Sequence, residues 1–229
     1  MQANPNVAII AALVSEASRA AILTVLLDGR FHSASELAYM ARIKPQTASF
    51  HLAKLIDANV VAVEKQGRHR YFAIGGQEVA QVMESLLSIA PPVTVKSLRQ
   101  SSQDKELRYA RTCYDHLAGN VGVQLTNALL RNGILIEEED RYTVTEHGEK
   151  FFADFGVDLN EAATKRRQFS HQCLDWSERR HHLAGALGNA LLERVLELGW
   201  VRRLPGTRAV QVTNKGKAGF EEIFSLDLN

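Results

Sequence analysis

Cysteine and long apolar runs are scarce in this chain of 229 residues, and each scarcity excludes a class of protein. Its 2 cysteines cannot form a disulfide framework, and such low usage is typical of a reducing compartment. No apolar run approaches the length of about 18 residues that marks a membrane span. The N-terminus also has no basic segment followed by the apolar core of an export signal. We therefore expect a cytoplasmic protein with no membrane partner.

An excess of charge is also missing from the chain as a whole, whose formal net charge is +1. Positive charge is instead concentrated between Arg42 and Arg70, where six basic side chains stand against two acidic ones, a balance of +4. A local excess of lysine and arginine is typical of a surface that binds nucleic-acid phosphates. Because a charged segment can equally be a solvated surface, the interpretation depends on the elements that carry it.

The segment that begins at Lys44 has the spacing of an amphipathic helix. Pro45 has a fixed φ and no N–H to lose, so it suits the first helical position. Four apolar residues at helical spacing should face a core: Ala48, Leu52, Leu55 and Ile56. The opposite face, flanked by Ser49 and His51, presents a different set: Gln46, Thr47, Phe50 and Lys54.

This second face has the chemistry of a DNA-reading surface. Gln46 and Thr47 lie in the first turn, the part of a recognition helix that reaches base edges. Glutamine can pair with adenine, and Phe50 can contact a thymine methyl group. We expect Lys54 to contact phosphate. The alternative is an ordinary amphipathic helix with a solvated polar face.

A basic hairpin is predicted directly after this helix. Residues 60–63 and 71–74 are rich in β-forming side chains, and Gly67 between them allows the positive φ of a tight hairpin. Before the helix, Ser33 and Glu36 have the spacing of a capping box. The order is thus helix, turn, recognition helix and wing. It predicts that duplex DNA is bound by Lys44, Gln46, Thr47, Ser49, Phe50, His51, Lys54, Lys65, Arg68 and Arg70.

Three motifs in this region resemble those of a known family. They are Ser49-Phe50-His51-Leu52-Ala53-Lys54-Leu55, Ala58-Asn59-Val60-Val61 and Gly67-Arg68-His69-Arg70-Tyr71-Phe72. Over residues 1–95 the chain resembles the ArsR/SmtB family of winged-helix repressors, whose members show S-x-H-L-x-x-L, a Gly-hydrophobic-Val step and G-R-x-x-Y. Asn59 stands where the family usually has glycine, and asparagine is the next best residue for a left-handed turn. The resemblance implies a repressor that binds operator DNA.

Two flanking helices are predicted to carry a dimer interface. One apolar stripe consists of Val7, Ile10, Ala11 and Val14, and the other of Val79, Val82, Met83, Leu86 and Leu87. A small winged-helix core cannot bury both stripes fully. Packing against the C-terminal half would cover them within one chain. The resemblance implies instead a homodimer, which places two recognition helices on two half-sites of an operator.

A domain boundary is predicted after Pro91-Pro92, which ends the fifth helix. The polar stretch that follows predicts a linker at residues 96–104, between domains at 1–95 and 105–229. The second domain contains an internal repeat, because His116-Leu117-Ala118-Gly119-Asn120-Val121-Gly122 recurs as His182-Leu183-Ala184-Gly185-Ala186-Leu187-Gly188. In each copy a glycine follows 17 residues after the histidine, and a Thr-x-x-Gly-x-x-x-Phe motif comes later.

The repeated unit is predicted as helix, glycine stop, β-hairpin and helix, which is itself winged-helix-like. The fold class is therefore mainly α with small β-hairpins (α+β), a winged helix-turn-helix followed by a second, degenerate winged-helix-like domain. The first hairpin of the repeat is acidic at residues 137–140, and DNA should repel it. We therefore expect the second domain to sense an effector or to assemble the protein.

Cysteine and histidine cluster in this second domain. Cys113 and His116 are predicted at positions i and i+3 of one helix. Thiolate and imidazole groups suit zinc, nickel, cadmium, copper(I) or haem. Five residues are candidate ligands: Cys113, His116, His171, Cys173 and His182. The alternatives are structural roles, since Cys113 fits an apolar helical stripe, or a pocket for thiol-redox chemistry or an organic ligand.

The metal positions best known in the resembled family are absent. The helix before the recognition helix has no cysteine, and the predicted fifth helix has no histidine. Cys113 and His116 could also be a nucleophile and its base, but no glycine-rich phosphate loop or carboxylate pair accompanies them. The sequence therefore predicts a DNA-binding transcriptional repressor rather than an enzyme. Its switch would be a small effector or metal ion bound by the C-terminal half.

Overall fold

The structure, a computed structural model, describes residues 5–91 and 97–228. Part of the predicted domain boundary, residues 92–96, lies outside the described residues. The chain divides into two compact units, Met1–Glu84 and Ser85–Asn229. The division falls within the fifth helix, which is N-terminal to the predicted boundary.

The first unit is a winged helix-turn-helix. Its elements are α1 (Val7–Val14), α2 (Ala17–Leu26), β1 (His32–Ser33), α3 (Ala34–Met40), α4 (Pro45–Asp57), β2 (Val61–Gln66) and β3 (His69–Ile74), followed by α5 (Gln77–Ile89), which continues into the second unit. The three strands form an antiparallel sheet in the order β1–β3–β2. Its core is formed by fully buried leucines and isoleucine on α2, α3 and α4: Ile22, Leu23, Leu26, Leu37, Leu52 and Leu55.

Local chemistry explains where these elements begin and end. The Ser33 hydroxyl and the Glu36 carboxylate cap the start of α3 reciprocally, as the capping-box spacing predicts. Pro45 occupies the first turn of α4. Asn59 has a φ of 57° after α4, and Gly67 has a φ of 60° at the tip of the β2–β3 hairpin. The sequence-based prediction of helix, turn, helix and wing is confirmed.

The second unit contains the predicted repeat. Its elements are α6 (Leu98–Tyr109), β4 (Arg111–Cys113), β5 (His116–Ala118), α7 (Gly119–Arg131), β6 (Leu135–Glu138), β7 (Arg141–Val144), α8 (Glu146–Phe155), α9 (Leu159–Thr164), β8 (His171–Leu174), β9 (His181–Ala184), α10 (Gly185–Glu197), β10 (Val201–Arg203), β11 (Val210–Val212) and α11 (Asn214–Phe224). Each copy is helix, glycine, hairpin and helix, as predicted, but an additional hairpin precedes it. The prediction that a helix runs through Cys113 and His116 is wrong, because His116 begins strand β5, and α7 begins only at Gly119.

The two copies interlock and share one core. Helix α7 packs on β9 and α10 packs on β5, so each long helix covers the hairpin of the other copy. The backbone N–H of Leu183 donates to the Thr126 hydroxyl at 2.8 Å, and the Asn189 amide donates to the carbonyl of Asp115 at 3.0 Å. Aromatic rings from both copies pack together: Phe151, Phe152, Phe155, Trp200, Phe220 and Phe224.

Residues 98–104 are not the irregular linker that their polar composition predicts, because they form the first part of α6. The Ser97 hydroxyl caps this helix by accepting from the N–H of Gln100 at 3.2 Å. The Arg108 guanidinium donates to the Asp104 carboxylate, one turn away, at 2.7 Å. A side-chain cap and an i,i+4 ion pair both favour a helix without requiring an apolar face.

No single helix in the described ranges is long and apolar enough to cross a membrane. Helices α1 and α2 meet that criterion only as a pair, by length and composition, and they are bent by 90° relative to each other.

Candidate nucleic-acid interface and cysteine–histidine cluster

The outward face of α4 carries the predicted DNA-reading side chains. Gln46, Ser49 and Phe50 are exposed, and Thr47 is half-buried in the first turn. Lys44 is exposed at the residue that directly precedes the helix, and its side chain makes no capping hydrogen bond. Since the N-terminal turn of a recognition helix contacts base edges, these positions suit the predicted contacts.

An exposed aromatic ring on this face is held by a neighbouring cation. Phe50 is 57% exposed, and the ammonium of Lys54 lies 4.4 Å from the centre of its ring. This distance fits a cation–π contact. The two side chains therefore lie side by side, with the cation close to the exposed apolar ring.

His51 does not belong to this face, which corrects the prediction for it. Its side chain is buried, with Nε2 3.4 Å from the carboxylate of Glu16 and Nδ1 3.5 Å from the guanidinium of Arg19. Both partners lie at the start of α2. The spacing of Ala48, His51 and Leu55 is that of a buried helical stripe. The pattern could therefore have placed His51 in the core.

On the β2–β3 hairpin, two basic side chains lie directly opposite each other. Lys65 and Arg70 are cross-strand partners, and Arg68 is exposed next to the turn. Like charges placed directly opposite each other on a sheet are destabilising. An anion such as a phosphate would relieve this repulsion. A groove of about 290 Å³ connects this wing to α4, with Ser49 and Ala53 on one side and Arg68 and Arg70 on the other.

The predicted helical pairing of Cys113 with His116 is wrong. Cys113 ends β4 and His116 begins β5, and the two are direct cross-strand partners in a hairpin. Cys173 and His182 are cross-strand partners in the β8–β9 hairpin in the same way. The apolar residues near Cys113 have helical spacing, but the chain turns at Tyr114, whose φ is 58°.

These two hairpins bring four ligand-type atoms together. The Sγ atoms of Cys113 and Cys173 are 3.8 Å apart, and the Nε2 atoms of His116 and His182 are 3.1 Å apart. All four atoms lie within 4.8 Å of one another. Cys113, His116 and His182 are buried, and Cys173 is half-buried.

His171, the fifth candidate ligand, lies beside this group rather than in it. Its ring centre is 6.4 Å from that of His116. Burial, together with the neighbouring His116, lowers the pKa of His171 to about 4, so its imidazole is neutral. We refer to Cys113, His116, Cys173 and His182 as the cysteine–histidine cluster.

Carboxylates contact the outer nitrogens of both clustered histidines. Nδ1 of His116 is 3.4 Å from Asp115, and Nδ1 of His182 is 3.3 Å from Asp175. Asp175 is fully buried, forms an ion pair of 2.9 Å with Arg111 and accepts from the N–H of Gly119 at 2.7 Å. Although burial alone would raise it, the contacts with His182 and Arg111 hold the pKa of the Asp175 carboxyl well below its usual range.

The arrangement of α3, α4 and the β2–β3 wing defines the class of winged helix-turn-helix proteins. A helix-turn-helix domain model matches residues 14–64. The chain is 53% identical over 225 residues to the uncharacterized HTH-type transcriptional regulator YdfF of Bacillus subtilis (strain 168), which covers 98% of this chain and 100% of the relative. The chain therefore belongs to this family of HTH-type transcriptional regulators. Membership of the ArsR/SmtB family stays a prediction.

Solved structures match part of the chain. HlyU from Vibrio cholerae in its reduced form is 23% identical, covers 38% of this chain and 90% of its own, and has a TM-score of 0.34. The cadmium sensor CmtR from Mycobacterium tuberculosis is 23% identical, covers 39% of this chain and 93% of its own, and has a TM-score of 0.33.

Proposed function

We propose that this HTH-type regulator is a homodimeric repressor that holds operator DNA between α4 and the β2–β3 wing. The observation that carries the proposal is the exposed face of α4 next to a hairpin on which Lys65, Arg68 and Arg70 crowd together. The helix supplies hydrogen-bonding and apolar groups for base edges, and the wing supplies cations for phosphate.

Uncovered apolar surface supports the homodimer. Helix α1 (Val7–Val14) consists of apolar residues, and none of them is buried in the described part of a single chain. On α5, Val82 is 52% exposed and Leu86 is 37% exposed, whereas Met83 of the same predicted stripe is buried. Large exposed apolar patches mark interaction surfaces. A two-fold dimer would cover them and place two α4 helices on half-sites about 34–36 Å apart.

The effector site is proposed in the second unit. Its β6–β7 hairpin carries exposed acidic side chains, including Glu137 and Glu139, which DNA phosphates repel. Its cysteine–histidine cluster has the character of a ligand site. Binding at that site would change the separation of the two recognition helices and so release the operator.

Salt dependence of DNA binding tests the proposal. We expect log affinity to fall with log salt with a slope of about −4 to −5, because about four to six phosphates would be neutralised per dimer. The probe is a duplex selected from a random-sequence library with the full-length protein, and affinity is measured by fluorescence anisotropy. An affinity that does not change with salt would contradict the role of the wing.

A further inference from the structure

We propose that the cysteine–histidine cluster is a tetrahedral site for one thiophilic divalent metal ion of the zinc class. The ion would join the two copies of the repeat, since Cys113 and His116 come from the first copy and Cys173 and His182 from the second. The proposal deepens the function above by naming the effector class. Its regulatory role rests on that function, whereas the metal site itself does not.

The sulfur–sulfur and nitrogen–nitrogen distances within the cluster are close to those of a tetrahedron around zinc. With Zn–S bonds of about 2.3 Å and Zn–N bonds of about 2.0–2.1 Å, the edges of a tetrahedron are about 3.8 Å for S···S and about 3.3–3.4 Å for N···N. The separations are 3.8 Å between the two sulfurs and 3.1 Å between the two Nε2 atoms. The side chains thus already surround a position that a metal ion can occupy.

The second contacts of the histidines fit metal binding as well. A metal-bound histidine usually presents its other nitrogen to a carboxylate, which fixes the tautomer and orientation of the ring. Asp115 is hydrogen-bonded to this nitrogen of His116 at 3.4 Å, and Asp175 lies within ion-pair distance of the corresponding nitrogen of His182, at 3.3 Å. A carboxylate therefore lies next to the outer nitrogen of the histidine in each copy of the repeat.

The donor set selects the class of ion. Two thiolates and two imidazoles suit zinc and its softer congener cadmium, whereas magnesium and calcium require oxygen ligands. Haem does not fit, because its iron is bound in a porphyrin plane with protein groups only at the axial positions. Four protein donors within 4.8 Å of one another leave no room for a porphyrin between them. With four protein ligands the ion has no open position, as in closed zinc sites.

Glycines allow the helices to approach the cluster closely. A Cβ on Gly188 of α10 would lie 2.6 Å from the carbonyl oxygen of Leu183 and 3.2 Å from Cβ of His116. Gly122 of α7 is the equivalent residue, with the Leu117 carbonyl oxygen at 2.5 Å and Cβ of His182 at 3.9 Å. Each of these glycines therefore faces the histidine of the other copy, and at Gly188 a larger residue would crowd His116.

Metal analysis of the full-length protein tests the site without DNA. The reduced wild-type protein is stripped with a chelator and titrated separately with Zn²⁺ and Co²⁺. We expect about one equivalent per chain. The Co²⁺ protein should show the strong visible bands of tetrahedral coordination and a thiolate-to-cobalt charge-transfer band. Absence of both bands, or formation of a Cys113–Cys173 disulfide in place of metal uptake, would overturn the proposal.

Variants separate ligands from neighbours. Cys113→Ser and Cys173→Ser should each weaken and shift the thiolate-to-cobalt charge-transfer band, because each leaves one thiolate ligand. Zinc affinity should be at least about 10-fold lower in each variant. His181→Ala is the matched control, because His181 adjoins His182 but is exposed. It should bind Zn²⁺ like the wild type, and so should His171→Ala. Equal losses in His181→Ala and Cys113→Ser would contradict the assignment. Because the wild-type titration needs no variant and no DNA, it stays decisive if a variant fails to fold or if operator binding fails.

Discussion

Neighbouring side chains of α4 have different surroundings. Phe50 is 57% exposed beside Lys54, whereas the next residue, His51, is buried against Glu16 and Arg19. A substitution at His51 should therefore act through the packing of α4 on α2. Changes in DNA recognition should come from the exposed side chains of α4 and from the wing.

Two of these residues should affect DNA binding in different ways. Arg68→Ala should weaken binding to all duplexes and reduce the salt slope by about 2, because it removes one phosphate contact from each half-site and so two per dimer. Gln46→Ala should relax base preference at one position per half-site, where the lost discrimination is worth about 1–3 kcal/mol. Anisotropy titrations against the selected duplex and its single-base variants measure both effects.

Arg141→Ala is the control for these variants, because Arg141 is exposed on the acidic hairpin of the second unit. It should leave DNA affinity unchanged. If Arg68→Ala changes affinity for only one sequence, then Arg68 reads bases and the assignment of the wing to phosphate is wrong.

Long elements could be predicted from the sequence, and short hairpins could not. Helix α4 has a proline start and a regular apolar stripe, and the wing has a glycine at its tip. The β4–β5 and β8–β9 hairpins have strands of only three or four residues, too short to show alternation. Their left-handed residues are Tyr114 and Arg179, not glycine, so no turn signal marks them.

The candidate ligands could be identified by residue type, but their assembly could not. Cys113 and Cys173 are 60 positions apart, and only the interlocking of the two copies brings their sulfurs to 3.8 Å. The sequence also does not indicate that Arg111 is buried, because arginine is rarely fully buried unless it is paired. Its partner, Asp175, lies in the other copy of the repeat.

Removing one partner of the Arg111–Asp175 pair should destabilise the second unit strongly. Both side chains are 0% exposed, and Arg111 also stacks 4.3 Å from the ring centre of Trp176. Arg111→Ala leaves a buried carboxylate without its cation, so we expect the free energy of unfolding to fall by about 3–5 kcal/mol. Urea denaturation of metal-saturated protein, followed by circular dichroism, measures the loss.

Arg141→Ala again provides the comparison, because the Arg141–Glu138 pair is exposed, with arginine 65% exposed. Removing such a pair should cost less than about 1 kcal/mol. Equal losses for the two variants would show that the buried pair has no special role.

At the scale of the whole molecule, the apolar helix α1 predicts an oligomer that a point substitution can dissociate. Val7 is 76% exposed in the first turn of α1. A glutamate there is compatible with the helix dipole, so Val7→Glu should preserve the helix while placing a charge in the dimer interface. Sedimentation equilibrium should detect a monomer. Fluorescence anisotropy should show that this monomer binds the operator more weakly than the wild type does.

Ile136→Glu is the matched control, since Ile136 is 46% exposed on the acidic hairpin. It should remain a dimer. A dimer in Val7→Glu that is as stable as the wild-type dimer would exclude α1 from the interface.

Metal occupancy should alter operator affinity if the cluster is the effector site. Couplings between two ligand sites are typically worth about 1–3 kcal/mol, or about 5–150-fold in affinity. We therefore expect the chelated and the Zn²⁺-loaded wild-type protein to differ in operator affinity within this range. Cys113→Ser should give the same affinity with and without Zn²⁺. A wild-type ratio near one would assign the metal a structural role only.

Division of the ligands between two copies of one repeat has a further consequence. Each copy contributes one cysteine and one histidine, and two donors bind an ion far more weakly than four. An ion therefore binds tightly at this site only when both copies are folded and correctly docked. Local unfolding of either copy that disorders its hairpin would release the same ion.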